Sequence, residues 1–102
     1  MTAQELFEIL KKTGYPTRYS HFSKAQKPPF IAFLSNFSNN FFADNKTFKN
    51  VNHWQIELYT ETKDIEAETK VEEILSDFCW DKTEVFLNDE NVFQIIYEIE
   101  DF

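Results

Sequence analysis

The chain reads as an α+β domain: one antiparallel sheet with two helices packed on one face, in the order α-β-β-β-α-β-β. Three observations predict this. Two segments, 3–13 and 64–78, repeat apolar residues at helical spacing. Five others run apolar or alternate over strand lengths and are separated by short polar turns. The strands also come in runs instead of alternating singly with helices, which favours antiparallel neighbours over a doubly wound parallel sheet.

Thr2 followed by Glu5 forms a capping box that opens the first helix. Ala3, Leu6, Phe7 and Leu10 fall on one face, and Lys11 and Lys12 sit in the last turn, where cations suit the helix dipole. Gly14 stands where a C-terminal cap wants positive φ, and Pro16 forbids continuation, so the helix covers about Ala3 to Thr13. Thr17 to Phe22 is rich in β-formers and reads as a short edge strand. Ser23 to Lys27 is a polar connection closed by Pro28 and Pro29, which suit a strand's first residues because they cannot donate to a ladder.

Phe30 to Leu34 is continuously apolar, as expected of a strand covered on both faces. In Val51 to Thr60, Val51, Trp54, Ile56 and Leu58 oppose Gln55, Glu57 and Tyr59, with a slip near His53. The two strands are expected to pair as an antiparallel hairpin with its tip near Asp44-Asn45-Lys46, where Asp and Asn tolerate turn dihedrals. Strand character in Phe37 to Phe42 and Thr47 to Lys49 would extend the hairpin into a long arm.

Asp64 or Thr62 caps the second helix. Its core stripe is Ala67, Val71, Ile74, Leu75 and Phe78, with Glu66, Glu68, Lys70, Glu72, Glu73 and Asp77 expected on the solvent side. Thr83 to Leu87 and Val92 to Ile99 flank the polar turn Asn88-Asp89-Glu90-Asn91. In the last strand Phe93, Ile95, Tyr97 and Ile99 share the face opposite Gln94, Ile96, Glu98 and Glu100.

With 102 residues, positions 1–102 form a single domain. A chain of this length buries roughly two thirds of its unfolded surface. Twelve Phe, four Tyr and two Trp are more than so small a core needs, so some are expected to meet a partner. The net charge of -8 repels phosphate backbones, which argues against sequence-independent nucleic-acid binding. The one basic cluster, Arg18, Lys24 and Lys27 with Lys11 and Lys12 upstream, reads as solvated lysines around a loop. Residues 1–14 lack the apolar run of a signal peptide, and no stretch approaches a membrane span, so a soluble cytoplasmic product is expected. A single cysteine, Cys79, allows no internal disulfide and fits a reducing compartment.

No motif carries chemistry. Among His21, His53 and Cys79 no two lie within five residues, so zinc-ligand spacing is absent. His53 reads as a packed or hydrogen-bonded strand residue, and Cys79, between Phe78 and Trp80, as a buried structural cysteine. Ser20, Ser23, Ser35, Ser38 and Ser76 lack a nucleophile-elbow context. Glu57, Glu61, Glu98, Glu100 and Asp101 read as a solvated face, not an acid–base pair. One glycine cannot build a phosphate-binding loop. The chain is therefore expected to be no enzyme and to need no metal or cofactor.

The segment Asn36 to Asn50 remains. It sets bulky aromatics among polar residues, and Phe37, Phe41, Phe42, Asp44, Asn45, Lys46 and Phe48 are the candidate oligomer-interface residues. Burying each Phe in a partner is worth roughly 1.5–3 kcal/mol. The alternative is a surface loop whose aromatics fold back on their own hairpin.

The runs YSHFSKAQKPPFIAFL, SNNFFADNKTFKNVNHWQIELYTETKD and WDKTEVFLNDENVFQIIYEI resemble small phage and prophage proteins of Gram-positive hosts. Phe42-Ala43-Asp44-Asn45-Lys46 and Ile56-Glu57-Leu58-Tyr59-Thr60 are the most specific pieces, and the resemblance covers about Tyr15 to Ile99. The proteins it points to look like tail-completion, tail-terminator or head–tail joining components. The resemblance implies a structural virion protein with the terminator fold, a small α+β domain with a sheet and two helices. It further implies a hexameric ring on the tail that contacts tail-tube and head-completion proteins. Such a protein would reside in the host cytoplasm during assembly and then in the virion neck.

Closed cyclic symmetry needs two different patches, and the arm and the Thr17–Phe22 edge could supply them. Glu66, Glu72 and Glu73 could then line a DNA channel and keep the duplex from sticking. The competing reading is a small acidic prophage-encoded binding or regulatory module, a DNA mimic with carboxylates in regular rows. It has little use for exposed Phe, so the aromatic segment favours assembly.

Overall fold

The structure is a computed structural model that describes residues 2–22, 24–35 and 52–101. Helix α1 spans Ala3–Leu10 and tightens into a 3-10 turn over Lys11–Thr13. The capping box forms as the sequence predicts: Thr2 Oγ1 accepts from the Glu5 amide and Glu5 accepts from the Thr2 amide. Gly14 closes the turn at φ 86°, a left-handed conformation that costs glycine least.

Strand β1 is Thr17–Tyr19, β2 Phe30–Ser35 and β3 Asn52–Thr60. Helix α2 is Ile65–Ile74, β4 Trp80–Leu87 and β5 Val92–Asp101. The sheet order is β1-β2-β3-β5-β4. Pairs β2–β3 and β5–β4 are antiparallel, as expected for the two hairpins, and β3 joins the hairpins by pairing antiparallel with β5. The expectation of a wholly antiparallel sheet is corrected at one edge. There β1 runs parallel to β2, with Thr17 opposite Ile31 and Tyr19 opposite Phe33. A parallel neighbour needs a crossover instead of a tight turn. Residues 20–22 and 24–29 belong to it: the chain leaves the strand at Ser20 (φ 69°) and lies over the second face of the sheet. This also ends β1 at Tyr19, three residues short of the expected Phe22.

Both helices lie on one face. Leu6 and Leu10 of α1, with Ala67, Val71 and Leu75 beside them, bury against Ile31, Phe33, Trp54, Ile56, Leu58, Ile95, Tyr97 and Ile99. Strands β2, β3 and β5 contribute alternate residues, so one period-two face meets two period-3.6 stripes. Asp64 caps α2 by accepting from the Ala67 amide. The second face of the sheet carries a stacked aromatic line: Phe22 meets Phe30 edge-on at 5.1 Å, and Phe30 stacks on Tyr59 at 4.7 Å. Ala32 is buried there beneath the crossover. Among the described residues no helix is long and apolar enough to cross a membrane.

Two sequence expectations about polar residues are overturned. Glu68, assigned to the solvent side of the second helix, is only 3 % exposed, and Glu72 is half-buried. Both lie one residue beyond core positions Ala67 and Val71, on the flank of the stripe that overhangs β4. Cys79, read as buried, is exposed. Helix α2 ends at Ile74, so Cys79 falls on the connection into β4, which starts three residues earlier than the predicted Thr83.

Candidate functional site

Two clusters of charged and aromatic side chains stand out. The first lies between α2 and β4. Lys63 sits just before the helix, while Glu68 and Glu72 are one helical turn apart and face the same way. Lys82 and Glu84 alternate on the helix-facing side of β4, as their register with Tyr97 and Ile95 requires. Glu68 is met on one carboxylate oxygen by Lys63 Nζ at 2.8 Å and on the other by Lys82 Nζ at 2.5 Å. Lys63 also pairs with Glu84. Lys82 Nζ donates to Glu72 Oε2 at 2.8 Å and lies 5.9 Å from the Tyr97 ring centroid. Tyr97 Oη donates to the same Glu72 oxygen at 2.8 Å.

The protonation states follow from this packing. Burial pulls Glu68 upward, but the hydrogen bonds and charges of Lys63 and Lys82 outweigh it and hold the carboxyl below its ordinary value. Burial works against the Lys82 ammonium, which the hydrogen bonds to Glu68 and Glu72 nevertheless raise. The Lys63 hydrogen bonds to Glu68 and Glu84 push that ammonium up to about 12. Burial, then the bond to Glu72, drives the Tyr97 phenol far above its usual range. Each charge of the cluster is met within the chain, so the cluster acts as a structural strut.

The second cluster is an open groove of about 720 Å³ at the end of the sheet where β3 begins, β5 finishes and β4 starts. Trp54, Phe78, Trp80 and Ile99 supply its apolar surface. Around them stand Asp77, Asp81, Glu98 and Glu100, with His53 and Cys79. From sequence His53 reads as a packed strand residue, Cys79 as buried, and Glu98 and Glu100 as part of a solvated face; the structure sets all four around one open groove with Asp77 and Asp81. Pairing of His53 with Glu100 across β3 and β5 sets His53 Nδ1 3.5 Å from Glu100 Oε1. Among the described residues no three His, Cys, Asp or Glu converge closely enough to hold a metal ion.

Two buried polar groups sit at the same end. Trp54 Nε1 and Ser35 Oγ find no hydrogen-bond partner among the described residues, and Ser35 is the register partner of Trp54. Such orphans are uncommon in protein interiors. The candidate interface residues Phe37, Phe41, Phe42, Asp44, Asn45, Lys46 and Phe48, and the expected hairpin tip, lie outside the described residues. The segment that holds them joins Ser35 to Asn52, so it departs from the sheet end that carries the groove.

A further polar line crosses the second face. Gln94 Nε2 donates to Tyr59 Oη at 2.9 Å, Tyr59 Oη donates to Glu57 Oε1 at 2.8 Å, and Gln55 Nε2 donates to Glu57 Oε2 at 2.6 Å. Glu57, read from sequence as solvated, is thereby held in a hydrogen-bonded row. Sequence reasoning missed the α2–β4 cluster. Its signal was the Glu68 and Glu72 pair flanking an apolar stripe, with alternating Lys82 and Glu84 on the following strand.

Comparison with protein-family models and with curated proteins finds no match.

Proposed function

We propose that this chain is a structural assembly protein, a tail-completion or tail-terminator component that works by packing against copies of itself and neighbouring virion proteins. The observation that carries the reading is the groove at the sheet's end. It is open, aromatic-floored and acidic, and its strands also hold the roots of the Phe-rich segment 36–51. That segment carries Phe37, Phe41, Phe42 and Phe48 together with Lys46 and Lys49. Aromatic and cationic side chains are the complement of Trp54, Phe78 and Trp80 ringed by Asp77, Asp81, Glu98 and Glu100.

Seating the segment of one subunit in the groove of the next is a heterologous contact, which closes into rings. Trp54 Nε1 and Ser35 Oγ, without a hydrogen-bond partner among the described residues, add two groups that an arriving chain could satisfy. The hexameric form and the tail-tube and head-completion partners belong to the same proposal and rest on the family resemblance.

Deletion of residues 39–45 tests the reading, with light scattering for mass and electron microscopy for rings. The full chain should form closed rings, and the deletion should remove them while circular dichroism stays unchanged. Charge reversal in the groove, Asp81→Lys with Glu98→Lys, should have the same effect. Rings that survive both changes would refute the proposal.

A further inference from the structure

Strand β4 is the outer strand of the sheet and is eight residues long. Its pairing with β5 is unbroken from Trp80 opposite Ile99 to Leu87 opposite Val92, and it contains no proline. Natural sheets guard such edges with prolines, bulges or outward charges, because the free N–H and C=O groups template a further strand. On the helix side the edge carries two charges of opposite sign, which do not bar a second strand of the same sequence. Lys82 and Glu84 pair with Glu68, Glu72 and Lys63 but keep 33 % and 40 % of their side-chain surface exposed. Val85 and Phe86 meanwhile stand exposed on the two faces of the strand.

We infer that β4 pairs with β4 of a second copy, antiparallel about a two-fold axis at Thr83, so that one sheet continues through both chains. With the helices of both copies on the same side, opposed residues must share a face, and the axis must then fall on a residue. Centring it on Lys82 opposes two lysines, on Glu84 two glutamates, and on Asp81 two aspartates; like charges so placed are destabilising. A Val85 centre drops Lys82 and Trp80 from the pairing. Only the Thr83 centre sets Lys82 against the partner's Glu84 and Trp80 against the partner's Phe86, each twice by symmetry. Opposite-charge and aromatic cross-strand pairs are the favourable kinds.

The contact is isologous, so it stops at two copies instead of propagating into a fibre. It involves neither β1 nor the 36–51 segment and does not depend on the ring proposed above. Deleting residues 39–45 should leave it in place.

Cysteine cross-linking tests the register. Opposed residues of an antiparallel pair lie about 4.5–5.5 Å apart at Cα, within disulfide reach. In a Cys79→Ser background, Thr83→Cys should yield a covalent dimer under mild oxidation. Asp81→Cys, which faces the partner's Val85, should yield many-fold less. In sedimentation of the chain lacking residues 39–45, in which rings do not form, a two-copy species should appear at high concentration, and Glu84→Lys in the same background should abolish it by opposing lysines across the axis. A chain that sediments as one copy at millimolar concentration, with Thr83→Cys cross-linking no better than Asp81→Cys, overturns the inference. A dimer that forms without the Thr83→Cys cross-link overturns it as well.

Discussion

The cluster under α2 and the groove at the sheet's end use the same materials, carboxylates beside aromatic rings, but differ in completeness. Under α2, Lys63 and Lys82 answer Glu68, Glu72 and Glu84, and Tyr97 supplies a donor to Glu72. In the groove, Asp77, Asp81, Glu98 and Glu100 have only His53 as a nearby basic group among the lining residues. A charge answered within its own chain stabilises the fold. A charge with no cation of its own among the described residues, beside the half-buried Phe78 and Trp80, is available to a partner. Charge density alone would have ranked the two alike; the partner inventory separates them.

The largest expected effect comes from breaking the first cluster. Lys82→Ala leaves the buried Glu68 with one ammonium and Glu72 with none. Removing one partner of a buried ion pair is far more costly than the pair is worth. A loss of about 2–4 kcal/mol in urea unfolding is expected. A loss under about half a kcal/mol would mean that Glu68 is rehydrated and that the two clusters do not differ in kind.

The second effect is pH dependence. Glu68 has a folded-state pKa below its ordinary value of 4.5, so the unfolded chain binds that proton more readily. The stability this contributes is complete above the ordinary value and is lost as pH falls through the lowered one. Lys63 shows the opposite sign: raised to about 12 from 10.5, it contributes fully below 10.5 and loses that contribution as pH climbs through about 12. Unfolding midpoints measured from pH 4.5 downward should fall, and Glu68→Gln should flatten that limb. An identical acid slope in the variant would remove Glu68 from the account.

The smallest expected effect sharpens the comparison from the other side. Asp81→Asn with Glu98→Gln neutralises two groove carboxylates whose charges no lysine answers among the described residues. Stability should change by less than about 0.5 kcal/mol, or rise slightly as mutual repulsion is relieved. Ring formation should weaken in the same variant.

Much of the fold was legible because it rests on local patterns. The Thr2–Glu5 capping box, Gly14 at the helix end, the Ala67–Val71–Leu75 stripe and the alternation along Phe93–Ile99 each express a relation within a few residues. The parallel docking of β1 was not legible, because nothing local distinguishes a crossover over the second face from a turn at the edge. Glu68 was misread for a related reason. Its neighbours along the helix mark it as solvated, and only β4, fourteen residues later at Lys82, covers it and brings the second cation.

By itself the sequence determined which segments become helix or strand and which side of each seeks the core, since propensity, capping and periodicity act through near neighbours. Tertiary structure alone decided the mixed sheet, the burial of Glu68, the exposure of Cys79 and the gathering of His53 and four acids into one groove. Those outcomes depend on which strand lies beside which, and that is settled by burying two helical stripes on a single five-stranded face.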